Sequence, residues 1–197
     1  MQTMQKLFTK KCTVFLLLLI PNMVIPIQDT IKIKRIELDQ APQVKQVILN
    51  CIIELNLWKP AATFEEIEQE LDRLNEFKDL SDIETIYFNN NGTFLVLLDN
   101  QKVVGSGGIK KIDEDTCEVK RVFFAKEYRG RGLGSQMMHQ LLDFAKTHGY
   151  KKIRLDILNP TAQSAAVTLY KKLGFYEIAP YGKSSIPMGL FMEKILS

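Results

Sequence analysis

The fold of this chain is decided where a predicted strand turns into a predicted helix through a glycine-rich, basic stretch, Arg129-Gly130-Arg131-Gly132-Leu133-Gly134-Ser135. Three glycines allow a tight backbone turn whose N–H groups can approach a ligand closely. The N-terminus of the following helix adds oriented N–H donors and a partial positive charge. Arg129 and Arg131 add two guanidinium groups, which suit phosphate geometry. The stretch therefore predicts a pyrophosphate-binding loop.

Two other phosphate-binding patterns do not fit this stretch. A P-loop needs Gly-x-x-x-x-Gly-Lys followed by Ser or Thr, and the chain contains no such run. A dinucleotide-binding fingerprint needs a glycine where Ser135 stands and a position in an early βαβ unit. The remaining alternative is a basic surface loop without a ligand, but the strand–loop–helix context favours a binding loop.

Hydrophobic periodicity and turn residues predict strands and helices on both sides of the loop. Before it we predict a strand, two helices and a three-stranded meander: residues 31–36, 44–55, a helix opened by a capping box at 63–66, then 93–98, 103–109 and 116–124. After it we predict a helix from about 134 to 148, a strand at 153–158, a helix at 164–173, and strands at 175–179 and 190–195. This order predicts one mixed α/β (α+β) domain over residues 31–197, with helices flanking a largely antiparallel central sheet.

The composition is that of an ordinary globular domain. The 197 residues are 46% hydrophobic and 25% charged, which excludes a disordered tail protein, a collagen-like repeat and a disulfide-stapled miniprotein. The net charge of +3 is too small for a nucleic-acid-binding footprint, so we expect no nucleic-acid partner. Cys12, Cys51 and Cys117 are too few and too scattered for a disulfide framework or a spaced metal site, so we expect no metal.

The first 30 residues form a hydrophobic leader that differs from the rest of the chain. Residues 12–27 carry no charge and follow two lysines. The stretch is shorter than the ~20 apolar residues of a spanning helix, and Pro21 and Pro26 interrupt it. Three interpretations stay open: a signal-peptide-like segment without a small-residue cleavage site, a membrane anchor, or an upstream start with Met23 opening the functional domain.

The loop resembles the acetyl-CoA-binding motif of the GNAT superfamily of N-acetyltransferases. That motif reads Arg/Gln-x-x-Gly-x-Gly/Ala, and Arg129, Gly132 and Gly134 match it. Residues 166–175, Ala-Val-Thr-Leu-Tyr-Lys-Lys-Leu-Gly-Phe, resemble a second signature of the superfamily, a helix that carries Leu-Tyr and ends in Gly-Phe. The two motifs lie in the superfamily's order, with one helix and one strand between them. The resemblance implies a GNAT-like fold and acetyl-CoA as co-substrate.

The resemblance also implies which residues bind acetyl-CoA. The backbone of Val122, Phe123 and Phe124 would pair with the pantetheine arm as an extra strand would. The N–H of Val122 would polarise the acetyl carbonyl as an oxyanion donor. The amides of residues 129–135 would hold the pyrophosphate. Many members carry Asn where this chain has Gln163, whose longer side chain can make similar hydrogen bonds.

Acetyl transfer to an amine needs a neutral amine, donors for the oxyanion, and a proton or positive field for the departing thiolate. Tyr170 resembles the superfamily's general acid; the alternative is a core tyrosine whose hydroxyl meets a carbonyl. Glu118 lies eleven residues before Arg129, which matches the spacing of the glutamate base in the histone-acetylating branch. It could equally be a strand glutamate paired with Lys120 or Arg121.

From these residues we expect an acetyl-CoA-dependent N-acetyltransferase that acts on a primary amine by direct attack in a ternary complex. The alternative is a noncatalytic acyl-CoA-binding regulatory module. The amine, a small molecule or a peptide or protein amine, is not identified by the sequence, and the oligomeric state stays open, with a homodimer as one alternative. Because acetyl-CoA is a cytosolic metabolite, we expect a cytoplasmic location. Membrane association through residues 12–27 is the alternative.

Overall fold

The structure of the protein, a computed structural model, describes residues 31–58, 62–182 and 188–196, so the predicted leader lies outside the described residues. One seven-stranded sheet forms the centre of this part of the chain. Its strands are β1 (Ile31–Arg35), β2 (Thr93–Asp99), β3 (Lys102–Lys111), β4 (Thr116–Phe124), β5 (Lys152–Ile157), β6 (Tyr176–Ile178) and β7 (Leu190–Ile195). They lie in the order β1-β2-β3-β4-β5-β7-β6, and only β4 and β5 run parallel. The predicted, largely antiparallel sheet is confirmed.

The α-helices of the described residues are α1 (Ala41–Glu54), α2 (Phe64–Arg73), α3 (Lys78–Ser81), α4 (Ile83–Ile86), α5 (Leu133–Thr147) and α6 (Ser164–Lys172). The predicted capping box opens α2: the Thr63 hydroxyl accepts from the Glu66 N–H at 3.2 Å, and the Thr63 N–H donates to the Glu66 carboxylate at 2.8 Å. The first predicted helix begins three residues earlier than periodicity indicated, because Ala41 and Pro42 suit a first helical turn. The short helices α3 and α4 were not predicted.

Helices cover both faces of the sheet, so two hydrophobic cores form. The first core joins α1, α2, α3 and α4 to inward-facing residues of β2 and β3, including Val44, Ile48, Leu71, Phe94 and Val96. The second core joins α5 and α6 to the other face, including Leu97, Ile109, Met137, Leu141 and Tyr170. Complete burial of one such aliphatic side chain stabilises the fold by about 1.5–3 kcal/mol. The two cores hold β4 and β5 in the middle of the molecule.

β4 and β5 pair at one end only. Residues 116–118 of β4 pair with residues 152–154 of β5, although β4 continues to Phe124 and β5 to Ile157. The two strands therefore separate beyond this pairing, and a gap opens in the middle of the sheet.

A β-bulge interrupts β4 beside this gap. The register with β3 shifts after Ser106, so that Arg121 and Val122 lie opposite the single residue Gly107. Arg121 has φ = +62°, in the left-handed region that favours glycine. A bulge bends its strand, and this one lies where β4 has left β5.

Candidate active site

The predicted pyrophosphate loop forms the turn that leads from β4 into α5. Gly130 and Gly132 have φ of +72° and +78°, and a Cβ added to either would meet no heavy atom within 4 Å. Backbone conformation, rather than packing, therefore requires glycine at both positions, and the loop surface above them is open. Gly132 is the N-cap residue of α5, so the first N–H groups of that helix lie at the loop.

A cavity of about 360 Å³ extends from this loop along the end of β4 to α6. The predicted acetyl-CoA residues on its wall are Val122, Phe123, Phe124, Arg129, Gly130, Gly132, Gly134, Ser135 and Gln163. Two other predicted residues do not line it. Arg131 is exposed on the loop, and Leu133 is buried in the second core beneath it.

The structure assigns different positions to the two loop arginines. Arg129 is bound by the protein itself: its Nε donates to the Phe124 carbonyl at 2.7 Å, and its Nη2 donates to the Glu54 carboxylate at 2.8 Å. This side chain therefore ties the loop to α1 and to the end of β4, whereas the sequence predicts a guanidinium group directed at a phosphate. Arg131 is exposed, with its guanidinium 5.4 Å from the centre of the Tyr128 ring.

A second cavity, of about 120 Å³, lies in the gap between β4 and β5. Apolar residues form most of its wall, and its charged residues are two acidic and two basic ones: Glu76, Asp156, Lys120 and Arg121. The residues that line both cavities are Val122, Phe123, Gln163, Ala166 and Tyr170. The cavities therefore meet at Val122 and Tyr170, the residues predicted to be oxyanion donor and general acid.

Tyr170 is buried where the two cavities meet. Its side chain packs against Phe175, with the ring centres 5.8 Å apart, and only 6% of the residue is exposed. Burial raises the pKa of Tyr170 well above its ordinary value, and the nearby charge of Asp156 raises it further. Within the described part of the chain, no hydrogen bond to the Tyr170 hydroxyl is found. This disfavours the alternative in which the hydroxyl serves a backbone carbonyl.

Glu118 lies on β4 but lines neither cavity. The Tyr181 hydroxyl donates to its Oε1 at 2.9 Å, and Lys120 Nζ lies 3.8 Å from its Oε2. Burial raises the pKa of Tyr181, and the charge of Glu118 adds to this effect, so the phenol stays protonated as a donor. Arg121, the other predicted partner of Glu118, is paired with Asp79 instead. Any proton transfer from the second cavity to Glu118 must therefore pass through an intermediary.

Asp156, unlike Glu118, lines the second cavity. It lies on β5, and its Oδ2 accepts from Lys120 Nζ at 3.3 Å across the gap between the strands. The sequence alone does not indicate a role for Asp156, because an aspartate in an alternating strand is typical of an exposed face. A role in the site is indicated only by its short distance from Lys120 and by its charge, which raises the pKa of Tyr170.

Gln163 is placed at the start of α6, where it contacts both cavities. Its Oε1 accepts from the Asn159 N–H at 3.0 Å, and its own N–H donates to the Asn159 carbonyl at 2.9 Å. The side chain therefore closes the turn that positions α6. Its amide nitrogen is the part left to interact with a ligand.

The described residues contain neither a cluster of metal-ligating side chains nor a membrane-spanning helix. No group of three or more His, Cys, Asp or Glu side chains in residues 31–58, 62–182 and 188–196 could hold a metal ion. In the same residues, no helix has the length and apolar character needed to cross a membrane.

Comparison with known proteins gives matches in sequence and in fold. Residues 55–175, more than half of the chain, match the model of the Acetyltransferase (GNAT) family. Human N-acetyltransferase 8 is 34% identical over 103 residues, which cover 49% of this chain and 44% of that protein. The chain therefore matches about half the length of this relative.

Two solved structures extend the comparison beyond the matched sequence. The crystal structure of an acetyltransferase from Streptococcus agalactiae has a TM-score of 0.68 and 27% identity, and covers 85% of this chain and 99% of that one. The crystal structure of PaiA N-acetyltransferase from Thermoplasma acidophilum, in complex with coenzyme A, has a TM-score of 0.65 and covers 84% and 98%. Because the two sequences are only 17% identical, this likeness shows a shared fold and nothing more.

Proposed function

This chain belongs to the acetyltransferase (GNAT) family, and on that premise we propose that it transfers the acetyl group of acetyl-CoA to a primary amine. The transfer takes place by direct attack in a ternary complex. The observation that carries the proposal is the meeting of two cavities at Val122 and Tyr170. One cavity begins at the glycine loop and would hold the acetyl donor, and the other lies between β4 and β5 and would hold the amine.

The larger cavity suits acetyl-CoA in shape and in chemistry. The open glycine backbone and the first N–H groups of α5 would bind the pyrophosphate, assisted by the exposed charge of Arg131. Arg129 supports this loop from behind through Glu54 and the Phe124 carbonyl. From there the cavity follows residues 122–124 of β4, whose backbone would pair with the pantetheine arm. The PaiA structure with coenzyme A has the same fold.

Val122 would supply the oxyanion donor. The bulge at Arg121 leaves β4 with one residue more than β3 opposite it, so the ladder is interrupted next to Val122. An N–H group fixed in this position stabilises charge on the acetyl oxygen as the amine attacks. Removing one such donor from an enzyme typically lowers kcat by about 10²–10³-fold.

Tyr170 would stabilise and then protonate the departing thiolate. Its raised pKa keeps the hydroxyl protonated at neutral and alkaline pH. The same shift makes the phenol a weaker acid than an exposed tyrosine, whose pKa is about 10, against about 8.5 for a thiol. The hydroxyl therefore acts first as a hydrogen-bond donor to the sulfur, and its proton follows as negative charge develops there.

Two carboxylates are available for the proton of the attacking amine. Asp156 lines the acceptor-side cavity and would hold the incoming ammonium group. Glu118 lies behind it, with Lys120 near both carboxylates, and would accept the proton through water. The charged side chains at this cavity and paired beside it sum to −2, which favours a cationic amine over an anionic acceptor; they are Glu76, Asp79, Glu118 and Asp156 against Lys120 and Arg121.

An acetylation assay over a panel of amines tests this proposal. We expect amine-dependent release of the CoA thiol with formation of the N-acetylated amine, detected with a thiol reagent and by mass spectrometry. Acetyl-CoA binding without thiol release for any amine would instead support the noncatalytic acyl-CoA-binding module. The absence of acetyl-CoA binding would overturn both functions.

The proposal includes the division of the chain near residue 30, with a leader before the acetyltransferase domain and a cytoplasmic location. A cytoplasmic enzyme has direct access to acetyl-CoA. Expression from Met1 and from Met23, followed by fractionation and assay, tests this part. We expect equal specific activity of both forms in the cytoplasmic fraction. Activity confined to an exported or membrane fraction would contradict it.

A further inference from the structure

Arg121 and Asp79 form a buried, bidentate ion pair beside the β-bulge. Arg121 Nε donates to Asp79 Oδ2 at 2.9 Å, and Arg121 Nη2 donates to Asp79 Oδ1 at 2.8 Å. The same guanidinium group donates to the Glu76 carbonyl, and the Tyr87 hydroxyl donates to Asp79 Oδ2 at 2.5 Å. Only 15% of the Arg121 side chain and 9% of the Asp79 side chain are exposed. The pair joins α3 to the middle of β4.

The charges of this pair are stable at neutral pH. Burial raises the pKa of Asp79, but the charge and hydrogen bonds of Arg121 outweigh burial, so the pKa of this carboxyl lies below its ordinary value. Burial and the charge of Asp79 raise the pKa of Tyr87 well above its ordinary value, so its hydroxyl remains a donor. The network therefore needs no change of protonation in order to persist during turnover.

The network holds a backbone conformation that Arg121 would not adopt unaided. A φ of +62° is unfavourable for any residue with a Cβ, and surrounding contacts must maintain it. On the strand side, Ser106 Oγ donates to the Arg121 carbonyl at 2.6 Å. On the helix side, Gly108 of β3 leaves room for Tyr87: a Cβ at this glycine would lie 3.0 Å from the Tyr87 ring. Arg121 is therefore held through both its backbone and its side chain.

We propose that the Arg121–Asp79 pair, supported by Tyr87, positions the Val122 N–H against the acetyl carbonyl. This inference rests on the proposed function, in which Val122 is the oxyanion donor. The peptide unit that carries this N–H directly follows Arg121, so rotation of the Arg121 backbone reorients the donor. A displacement of about 1 Å at a reacting centre can cost about 100-fold in rate. Arg121, Asp79 and Tyr87 are thus positioning residues, which act through Val122.

The same pair links the donor to the wall of the acceptor cavity. Glu76 and Phe77 line that cavity and lie just before α3, which carries Asp79. Arg121 binds the Glu76 carbonyl and the Asp79 carboxylate together. The segment that faces the amine and the N–H that faces the acetyl oxygen are therefore fixed by one guanidinium group.

Three variants test this role. Arg121→Lys keeps the charge but loses the two-pronged contact with Asp79. Tyr87→Phe keeps the ion pair and removes one hydrogen bond to Asp79. Tyr150→Phe is the matched control: it removes a buried tyrosine hydroxyl that donates to the Asn91 carbonyl at 2.8 Å, and Tyr150 lines neither cavity.

The readouts are the Kd for acetyl-CoA, the infrared stretch of the bound ¹³C-labelled acetyl carbonyl, and kcat. In the wild type we expect the stretch to shift to lower frequency on binding, because the Val122 N–H polarises the carbonyl. Arg121→Lys should lose most of this shift and about 100-fold in kcat. Tyr87→Phe should lose part of the shift and about threefold to tenfold in kcat. Tyr150→Phe should retain both, and Kd should stay within about threefold in every variant.

The outcomes separate this inference from the proposed function. If Arg121→Lys does not fold, the comparison of Tyr87→Phe with the control Tyr150→Phe decides whether the positioning role holds. A normal carbonyl shift and a normal kcat in Tyr87→Phe would overturn the positioning role while the proposed function stands. Equal losses in Tyr87→Phe and Tyr150→Phe would also overturn it, because the effect would then be general destabilisation. A wild-type protein that does not bind acetyl-CoA would overturn the proposed function and the positioning role together.

Discussion

Replacing Tyr170 by Phe should separate activity from stability. The Tyr170 hydroxyl has no hydrogen-bond partner among the described residues, and the residue is 6% exposed. The substitution therefore breaks no contact in the folded protein and removes a polar group from a buried position. We expect the free energy of unfolding to stay within about 0.5 kcal/mol of the wild type, or to rise slightly.

The expected loss of activity follows from loss of the contact with the thiolate that the proposed function assigns to Tyr170. A hydrogen bond to a charged group contributes about 1.5–3 kcal/mol, and each 1.36 kcal/mol corresponds to tenfold in rate. Tyr170→Phe should therefore lower kcat by about 10- to 150-fold. The Kd for acetyl-CoA should change by less than about threefold, because the ring and its packing against Phe175 remain.

Tyr150→Phe should have the opposite effect. Its hydroxyl donates to the Asn91 carbonyl at 2.8 Å, so the substitution should cost about 1 kcal/mol of stability, or a fall in Tm of about 2–4 °C. The kcat should stay unchanged. Steady-state kinetics, isothermal titration with acetyl-CoA and thermal unfolding by circular dichroism measure the three quantities. A Tyr170→Phe protein with wild-type kcat, or with the stability loss expected of Tyr150→Phe, would refute the role of Tyr170 as acid.

Three further predictions concern the loop, the base and the buried ion pair. Gly132→Ala should weaken acetyl-CoA binding about tenfold: an alanine at φ = +78° costs about 1–2 kcal/mol, so the free loop relaxes to another conformation, which binding must reverse. Gly134→Ala should leave Kd within about threefold, since its Cβ would lie 3.5 Å from Leu169; titration measures both Kd values, and equal effects would argue against the loop geometry. Glu118→Gln should lower kcat/KM about 100-fold and alter its pH profile; an unchanged profile would reduce Glu118 to a structural partner of Tyr181. Arg121 overcomes the effect of burial and holds the pKa of Asp79 below its ordinary value. The stability that ionised Asp79 contributes is therefore complete above about pH 4, which is the pKa of an unfolded aspartate, and is lost as the pH falls through the lower pKa of the folded state. The difference in unfolding free energy between the wild type and Asp79→Asn should accordingly shrink in acid, as measured by urea titration; a constant difference would contradict the ionised pair.

The elements around the glycine loop could be predicted because local sequence determines them. The helix expected at residues 134–148 is α5 at Leu133–Thr147, and it ends as expected near Gly149, whose φ of +86° stops a helix. The meander before the loop followed from period-2 alternation and polar turns. The position of β7 between β5 and β6 could not be predicted, because it depends on pairing between distant segments. The helices α3 and α4 span one turn each, too little for periodicity to show.

In the candidate site, too, some residues could be predicted from the sequence and others could not. Gly130 and Gly132 could be selected from sequence, because a positive φ and an open surface leave a residue-type signature. The bulge at Arg121 leaves no such signature, since an arginine occupies a conformation that favours glycine and distant side chains hold it there. Asp79, in the short helix α3, is recognisable only once the fold brings it against β4. The engagement of Arg129 by Glu54 likewise depends on α1 packing beside the loop.

The partners of other charged groups in the site could likewise be identified only from the folded structure. Tyr181 lies 63 residues from Glu118 in sequence, and Asp156 lies 36 residues from Lys120. The Lys120–Asp156 pair forms because β4 lies beside β5. The Tyr181–Glu118 pair forms because the chain after β6 returns to β4. Alternation within one strand indicates a shared face but gives no information on which distant side chain lies opposite.

The measurement that tests the central claim most directly is an initial-rate study with acetyl-CoA and an amine that responds in the panel assay, combined with intact-protein mass spectrometry. Direct attack where the two cavities meet predicts intersecting double-reciprocal lines, equal amounts of CoA thiol and N-acetylated amine, and no acetylated protein when acetyl-CoA is present without amine. Parallel lines with an acetyl group on the protein would contradict direct transfer. Thiol release that does not depend on the amine would contradict the assignment of the cavity between β4 and β5 to the acceptor.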